Sequence, residues 1–145
     1  MPARFPVLDP AACAPCGLCE VACVETRYGW HDLVPDDPRV LERRRLRVRE
    51  VAGLPALDVC FHCAESPCVP VCPHDALLRF RDGRVDLIES RCTGCGKCIA
   101  ACPHGAIRRV VDLDIAVKCD GCAPLGGEPA CVPACPSKAL SLAVR

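Results

Sequence analysis

Apolar positions along this 145-residue chain come in short runs, and none holds a helical or strand period for long. The clearest pattern lies at 77–88. Leu77-Leu78-Arg79-Phe80-Arg81 and Arg84-Val85-Asp86-Leu87-Ile88 flank Asp82-Gly83. Asp-Gly between two strand-like runs predicts a hairpin closed by a type I′ turn. A second strand is expected at Arg45-Leu46-Arg47-Val48-Arg49, where cation and apolar residue alternate. That alternation predicts a buried face of Leu46 and Val48 and an exposed arginine face. Short helices are expected near Pro73 to Leu78, Pro103 to Ile107 and Pro136 to Leu140, each with proline in the first turn, where its missing N–H costs nothing. Fifteen prolines and ten glycines interrupt the rest, so the elements should be short and loop-dominated.

Composition sharpens this picture. The chain is long enough for one compact domain, 1–145. Its hydrophobic fraction is 51%, but sixteen of those residues are cysteine, and aromatics make up only 3% (Phe5, Phe61, Phe80, Tyr28 and Trp30). Side chains alone would build a thin core. The interior is expected to be filled partly by something other than protein, and a bound metal group would then supply folding free energy.

The sixteen cysteines form four groups of four. They are Cys13, Cys16, Cys19 and Cys23; Cys60, Cys63, Cys68 and Cys72; Cys92, Cys95, Cys98 and Cys102; and Cys119, Cys122, Cys131 and Cys135. Groups one and three are spaced Cys-x2-Cys-x2-Cys-x3-Cys. Group two widens before its third cysteine to x4 and group four to x8. Groups two, three and four end in Cys-Pro. This run is the ligand pattern of cubane iron–sulfur clusters in bacterial ferredoxins. Three close thiolates wrap three iron corners, and the short loop turns backbone N–H groups toward sulfur. Gly17, Gly94, Gly96 and Gly121 allow the close approach. Cysteine content alone would also suit a secreted disulfide scaffold, but two-apart cysteines bridge poorly and the N-terminus lacks a signal pattern. A zinc-stabilised structural or interaction module without redox role is the stronger rival, since zinc also uses Cys-x-x-Cys knuckles. The third nearby cysteine and the Cys-Pro ending favour clusters.

Charge and motifs narrow the function further. The formal net charge is zero, yet sixteen thiolates around four cubanes would leave a holo-protein acidic. The eighteen Lys and Arg residues are read against that interior charge and do not indicate nucleic acid. No segment has the length of a membrane span, so no direct membrane insertion is expected and the location is expected to be cytoplasmic. A reducing compartment keeps the cysteines as ligands. No phosphate-binding glycine loop or Ser/His/Asp constellation appears, so no catalytic residues are expected and the chain is not expected to be an enzyme on its own.

The stretches Cys60-Phe61-His62-Cys63 to Cys72-Pro73, Cys92-Thr93-Gly94-Cys95-Gly96-Lys97-Cys98 to Cys102-Pro103, and Lys118-Cys119-Asp120-Gly121-Cys122 to Cys135-Pro136 carry a resemblance. The whole chain resembles the four-cluster, ferredoxin-like electron-transfer subunits of multi-subunit oxidoreductases. The resemblance implies an α+β, ferredoxin-like fold of two interleaved two-cluster modules, with short helices, short hairpins and many loops. The inner module would span about 60–105, and the outer module about 1–59 plus 106–145. It implies four 4Fe–4S clusters held by Cys13, Cys16, Cys19 with Cys135; Cys119, Cys122, Cys131 with Cys23; Cys60, Cys63, Cys68 with Cys102; and Cys92, Cys95, Cys98 with Cys72. It implies a hetero-oligomer with a catalytic oxidoreductase subunit and a flavin or ferredoxin electron partner. A tungsten aldehyde oxidoreductase is the first expectation for that catalytic subunit, ahead of carbon monoxide dehydrogenase and hydrogenase. One departure stands out: Cys23 is followed by Val24 instead of proline, so the helix at group one should be built differently, and a three-iron site would arise here first.

Other residues carry two readings each. The Arg43–Arg49 run either docks on an acidic partner or balances cluster charge, against a solvated strand face. His62 tunes a cluster or packs a loop. Lys97, Lys118 and Lys138 either raise nearby potentials or solvate their loops. Tyr28 and Trp30 are interface anchors or a satellite core contact.

Overall fold

Four separate two-stranded antiparallel ribbons carry the chain in the computed structural model, which describes residues 2–144. In order, the strands are β1 (Arg4–Leu8), β2 (Arg47–Val51), β3 (Leu54–Asp58), β4 (Leu77–Arg79), β5 (Val85–Leu87), β6 (Arg108–Val110), β7 (Ile115–Val117) and β8 (Leu140–Val144). The helices are α1 (Leu18–Tyr28), α2 (Pro38–Arg43), α3 (Lys97–Ala101) and α4 (Cys131–Ala134). The strand pairs are β1–β8, β2–β3, β4–β5 and β6–β7. The first ribbon joins the two ends of the chain, with Phe5 opposite Ala143 and Leu8 opposite Leu140. The other three are hairpins.

The 77–88 hairpin forms, with Leu77 opposite Leu87. Its turn differs from the expected type I′. Only Gly83 has positive φ (+87°), Gly83 N–H donates to the Phe80 carbonyl at 3.0 Å, and Phe80 N–H donates to the Arg84 carbonyl at 2.8 Å. The loop is therefore Arg81-Asp82-Gly83. Asp82 avoids the left-handed region that a type I′ turn would require of it.

The helices lie on the other side of the cysteines from where proline suggested. α3 and α4 carry Cys98 and Cys131, and Cys102 and Cys135 cap their C-terminal ends. Pro103 and Pro136 thus follow the last turn. A proline there cannot continue a helix, so it ends one. The segments after Cys72, Cys102 and Cys135 are turns. Group one has no such proline, and α1 runs through Cys19 and Cys23 to Tyr28, closed by Gly29 at φ +67°. α2 lies in the long first connection. Asp37 caps it by accepting from Arg39 N–H at 2.9 Å, with Pro38 in its first turn.

β2 begins two residues later than expected. Leu46 is buried, and Val48 half-buried, but Arg45 is buried as well, at 6% exposure. Arg43 and Arg45 are buried, Arg44 and Arg47 half-buried and Arg49 exposed, and each has a carboxylate partner. Arg43 pairs with Asp112 and Glu42, Arg44 with Glu20 at 2.7 Å, Arg45 with Glu89 at 2.8 Å, and Arg47 and Arg49 with Asp58 on β3. Glu20 also accepts from the Val48 N–H at 2.7 Å, which pins the start of the β2 ribbon to α1.

The buried residues form three clusters. One contains Cys19, Cys119 and Cys131 with Leu46, Val59 and Leu140. A second contains Cys68 and Cys98 with Leu77, Val85, Ile107 and Ala116. The third holds Val21, Val24, Leu33 and Val40 without cysteine; Tyr28 and Trp30 pack against it, stacked on each other at 4.8 Å, with Arg43 over both rings. This pair of rings is a satellite core contact.

Candidate metal centres

The cysteine loops repeat one local design. The residue before the second cysteine is left-handed in groups two, three and four: His62 (φ +48°), Gly94 (+72°) and Gly121 (+66°). That conformation turns its own N–H onto the first cysteine. His62 N–H lies 3.4 Å from Cys60 Sγ, and Gly121 N–H lies 3.4 Å from Cys119 Sγ. A second repeat follows the fourth cysteine. Asp75 (+50°), Gly105 (+60°) and Lys138 (+54°) each stand three residues after a Cys-Pro cysteine and are left-handed. The next residue is alanine each time: Ala76, Ala106 and Ala139, all buried. Ala76 N–H donates to Cys72 Sγ and Ala139 N–H to Cys135 Sγ, both at 3.3 Å. The sequence carried this signal in Cys-Pro-x-x-Ala, three times over, and reading proline as a helix start obscured it.

Tertiary structure then gathers the sulfurs. One cavity is lined by Cys60, Cys63, Cys68 and Cys102, with Phe61, Val85, His104 and Ile107. Another is lined by Cys72, Cys92, Cys95 and Cys98, with Leu77, Leu87 and Ala116. The Ala116 N–H on β7 donates to Cys92 Sγ at 3.3 Å. The remaining thiols interact in two further sets. Cys135 and Cys16 both act on Cys13 and on Cys19. Cys119, Cys23, Cys122 and Cys19 act on Cys131, and Cys122 acts on Cys23. In both cavities the fourth cysteine of one group stands with the first three of another.

Electrostatics shows what such a set requires. Burial, with Glu20 adding to it, pushes the Cys19 thiol up to about 12, and burial takes Cys119 to about 12. Burial likewise takes Cys23 and Cys68 to about 11, and raises Cys131 together with its neighbouring thiols. Burial pushes Cys72 up too, but the N–H groups of His74, Ala76 and Leu77 outweigh it and hold the thiol below its ordinary value. The Ser137 hydroxyl leads the same effect at Cys135. The protein thus offers N–H groups to its sulfurs, yet leaves most buried thiols unable to ionise at neutral pH without a cation between them. A coordinating metal ionises a thiol outright. Among the described residues no disulfide forms, and no three His, Cys, Asp or Glu side chains converge closely enough for a single metal ion. The sulfur sets line cavities instead. Four sulfur donors lining one cavity, with N–H groups aimed at them, fit a 4Fe–4S cubane.

His62 and Lys118 have no exposure, whereas Lys97 and Lys138 are exposed. Asp120, also buried, accepts from Arg27 at 2.7 and 2.9 Å and from the Cys122 N–H at 2.9 Å. Among the described residues no helix is long and apolar enough to cross a membrane.

Comparison with known proteins agrees with this donor chemistry. A family model described as a 4Fe-4S dicluster domain matches residues 54–145. Over 152 aligned positions the chain is 35% identical to the electron transport protein HydN of Escherichia coli (strain K12), covering 94% of this chain and 86% of that protein. It is 36% identical to formate hydrogenlyase subunit 2 of the same strain, covering 96% and 81%. It is 32% identical to that strain's formate dehydrogenase-O iron-sulfur subunit, covering 96% of this chain and 52% of that protein.

Proposed function

The chain belongs to the 4Fe-4S dicluster domain family, an iron–sulfur electron-transfer family, and from that premise we propose that it is a four-cluster, non-catalytic electron-transfer subunit of a hetero-oligomeric oxidoreductase. The observation that carries the count is the crossing of the sulfur sets. Two cavities each present four cysteines, three from one group and one from another, and Cys135 acting on Cys13 and Cys19, with Cys23 acting on Cys131, supports the same crossing for the other eight. The ligands would be Cys60, Cys63, Cys68 and Cys102; Cys72, Cys92, Cys95 and Cys98; Cys13, Cys16, Cys19 and Cys135; and Cys23, Cys119, Cys122 and Cys131. When bound, the clusters supply one-electron redox chemistry. An inner module over about 60–105 and an outer one from the remainder would be interleaved along the chain, although Ile107 and Ala116 join the core of Cys68 and Cys98, and Cys60 packs on the other.

The chain's own residues hold, insulate and address these sites. Cys16 and Cys95 are the two exposed cysteines, and they belong to different modules. They mark the two ends at which electrons would be exchanged with partners. The relatives' names turn the expected catalytic partner toward formate-converting complexes, ahead of tungsten aldehyde oxidoreductase; a flavin or ferredoxin partner would serve the other end. A reducing, cytoplasmic location suits sixteen thiol ligands.

Anaerobic iron and acid-labile sulfide analysis tests the count. About sixteen of each per chain are expected for four cubanes. Zinc without sulfide would overturn the reading. The crossing is tested by spin resonance of reduced Cys102→Ala and Cys68→Ala, which should lose the same signal, while Cys72→Ala and Cys95→Ala lose another. Pairing of Cys102 with Cys95 instead would refute it.

A further inference from the structure

Lys118 is among the largest side chains with no exposure in the protein. It follows β7 and precedes Cys119. Its Nζ donates to the Cys119 carbonyl at 2.8 Å and to the carbonyl of Val85 on β5. Val85 lines the cavity of Cys60, Cys63, Cys68 and Cys102. The Val85 N–H donates to His62 Nδ1 at 3.0 Å, and the His62 N–H reaches Cys60 Sγ. Lys118 therefore joins Cys119, in one cysteine-containing core, to Val85, in the other.

The ammonium has no carboxylate partner among the described residues. Asp120, two residues on, is held by both of its oxygens to Arg27, and Arg45 next to it pairs with Glu89. A buried ammonium held only by neutral carbonyls is unfavourable unless anions lie close by. With clusters bound, the anions on its two sides would be their cysteine thiolates and the clusters themselves. Its Nζ sits on the carbonyl of Val85, which lines the cavity of Cys60, Cys63, Cys68 and Cys102, and on the carbonyl of Cys119 in the other set.

We propose that Lys118 is a shared internal cation that raises the reduction potentials of the two clusters held by Cys60, Cys63, Cys68, Cys102 and by Cys23, Cys119, Cys122, Cys131, bringing them into line across the boundary between the modules. This rests on the four-cluster reading above. A fixed positive charge favours the more negative, reduced state of any redox group beside it, and burial leaves the effect unscreened. The exposed Lys97 and Lys138 lie in salt-screened solvent and lack this leverage.

The experiment is a redox titration of the holo-protein followed by spin resonance, comparing wild type with Lys118→Met, Lys118→Arg and Lys97→Met. Signals are assigned with Cys68→Ser and Cys122→Ser. Lys118→Met should lower two of four midpoint potentials, those of the two signals altered by the serine variants. Lys118→Arg should restore them, and Lys97→Met should leave both in place. Four unchanged potentials, or four that fall equally, would overturn the inference while leaving the four-cluster reading intact. Wild type without four clusters would overturn both. If Lys118→Met loads less iron, Lys118→Arg decides: full loading supports a need for the charge, and equal loss shows a packing role instead.

Discussion

Replacing Gly94 with alanine adds one methyl group and incurs two separate costs, and Gly96 two residues away incurs only one of them. Both glycines are left-handed, at φ +72° and +78°. That conformation costs a residue with a Cβ about 1–2 kcal/mol. A Cβ at Gly96 meets nothing within 4 Å. A Cβ at Gly94 would overlap the Asp114 backbone carbonyl oxygen and lie 2.6 Å from its Oδ1. Asp114 cannot step aside freely, because it is left-handed itself (φ +52°) and paired to Arg109. The loop holding Cys92 and Cys95 must move instead, at about 1–3 kcal/mol for such overpacking. Iron release to excess chelator, followed by cluster absorbance, reads the opening of this loop. Gly96→Ala should release the affected cluster about 5–30-fold faster than wild type. Gly94→Ala should be faster than Gly96→Ala by a further factor of about 5–150. Equal rates for the two variants would show that conformational strain alone sets the cost and that contact with Asp114 is irrelevant.

Three further outcomes follow from the same geometry. Val24→Pro puts the proline of the other groups into group one; it should break α1 at a cost of about 3 kcal/mol or more, seen as lost helical dichroism and as altered emission from Trp30, the single tryptophan. An unchanged spectrum would mean that the helix does not depend on the missing proline. Asp120→Asn leaves the mostly buried Arg27 without its carboxylate and should destabilise the fold by about 3–5 kcal/mol in chemical denaturation, whereas Asp86→Asn, paired only at 4.0 Å, should cost about 1 kcal/mol or less. Ser137→Ala removes the hydroxyl 3.5 Å from Cys135 Sγ and should lower one midpoint potential by about 20–60 mV, the equivalent of one modest hydrogen bond; a rise, or a shift in all signals, would contradict the role given to Ser137.

The cysteine groups were legible because their chemistry is local: ligand spacing is written in consecutive residues. The 77–88 hairpin was legible for the same reason, but its register was not: a two-residue turn at Asp82-Gly83 would set Leu77 opposite Ile88, and the three-residue loop sets it opposite Leu87. The helices were misplaced because proline fits both the start of a helix and the residue just past its end. Local sequence does not separate these, but the alanine four residues after Cys72, Cys102 and Cys135 does, since only a tight turn returns its N–H to the sulfur. The arginine run misled for a different reason. Its partners Glu20, Glu89 and Asp112 lie far away in sequence, and alternation in a strand says nothing of which distant carboxylates will cover its polar face.

The departure at Val24 looks like decay of the repeat, and the structure gives it a purpose. In the other groups proline stops the chain after the fourth cysteine, and a turn then delivers an N–H back to sulfur. At Cys23 the helix continues, so residues four apart stay on one face. Cys23 and Arg27 are such a pair. Cys23 meets Cys122 and Cys131, and Arg27, one turn on, clasps Asp120 between Cys119 and Cys122. Asp120 in turn accepts the Cys122 N–H, which shapes the loop of group four. A proline at position 24 would leave Cys23 in place but remove the arm that carries Arg27. Group four also has the widest spacing, with eight residues between Cys122 and Cys131, so it is the loop least fixed by its own sequence. The uninterrupted helix of group one supplies from outside the constraint that group four lacks within. The exception falls in the group whose continuing helix carries Arg27 onto Asp120 in the loop of group four.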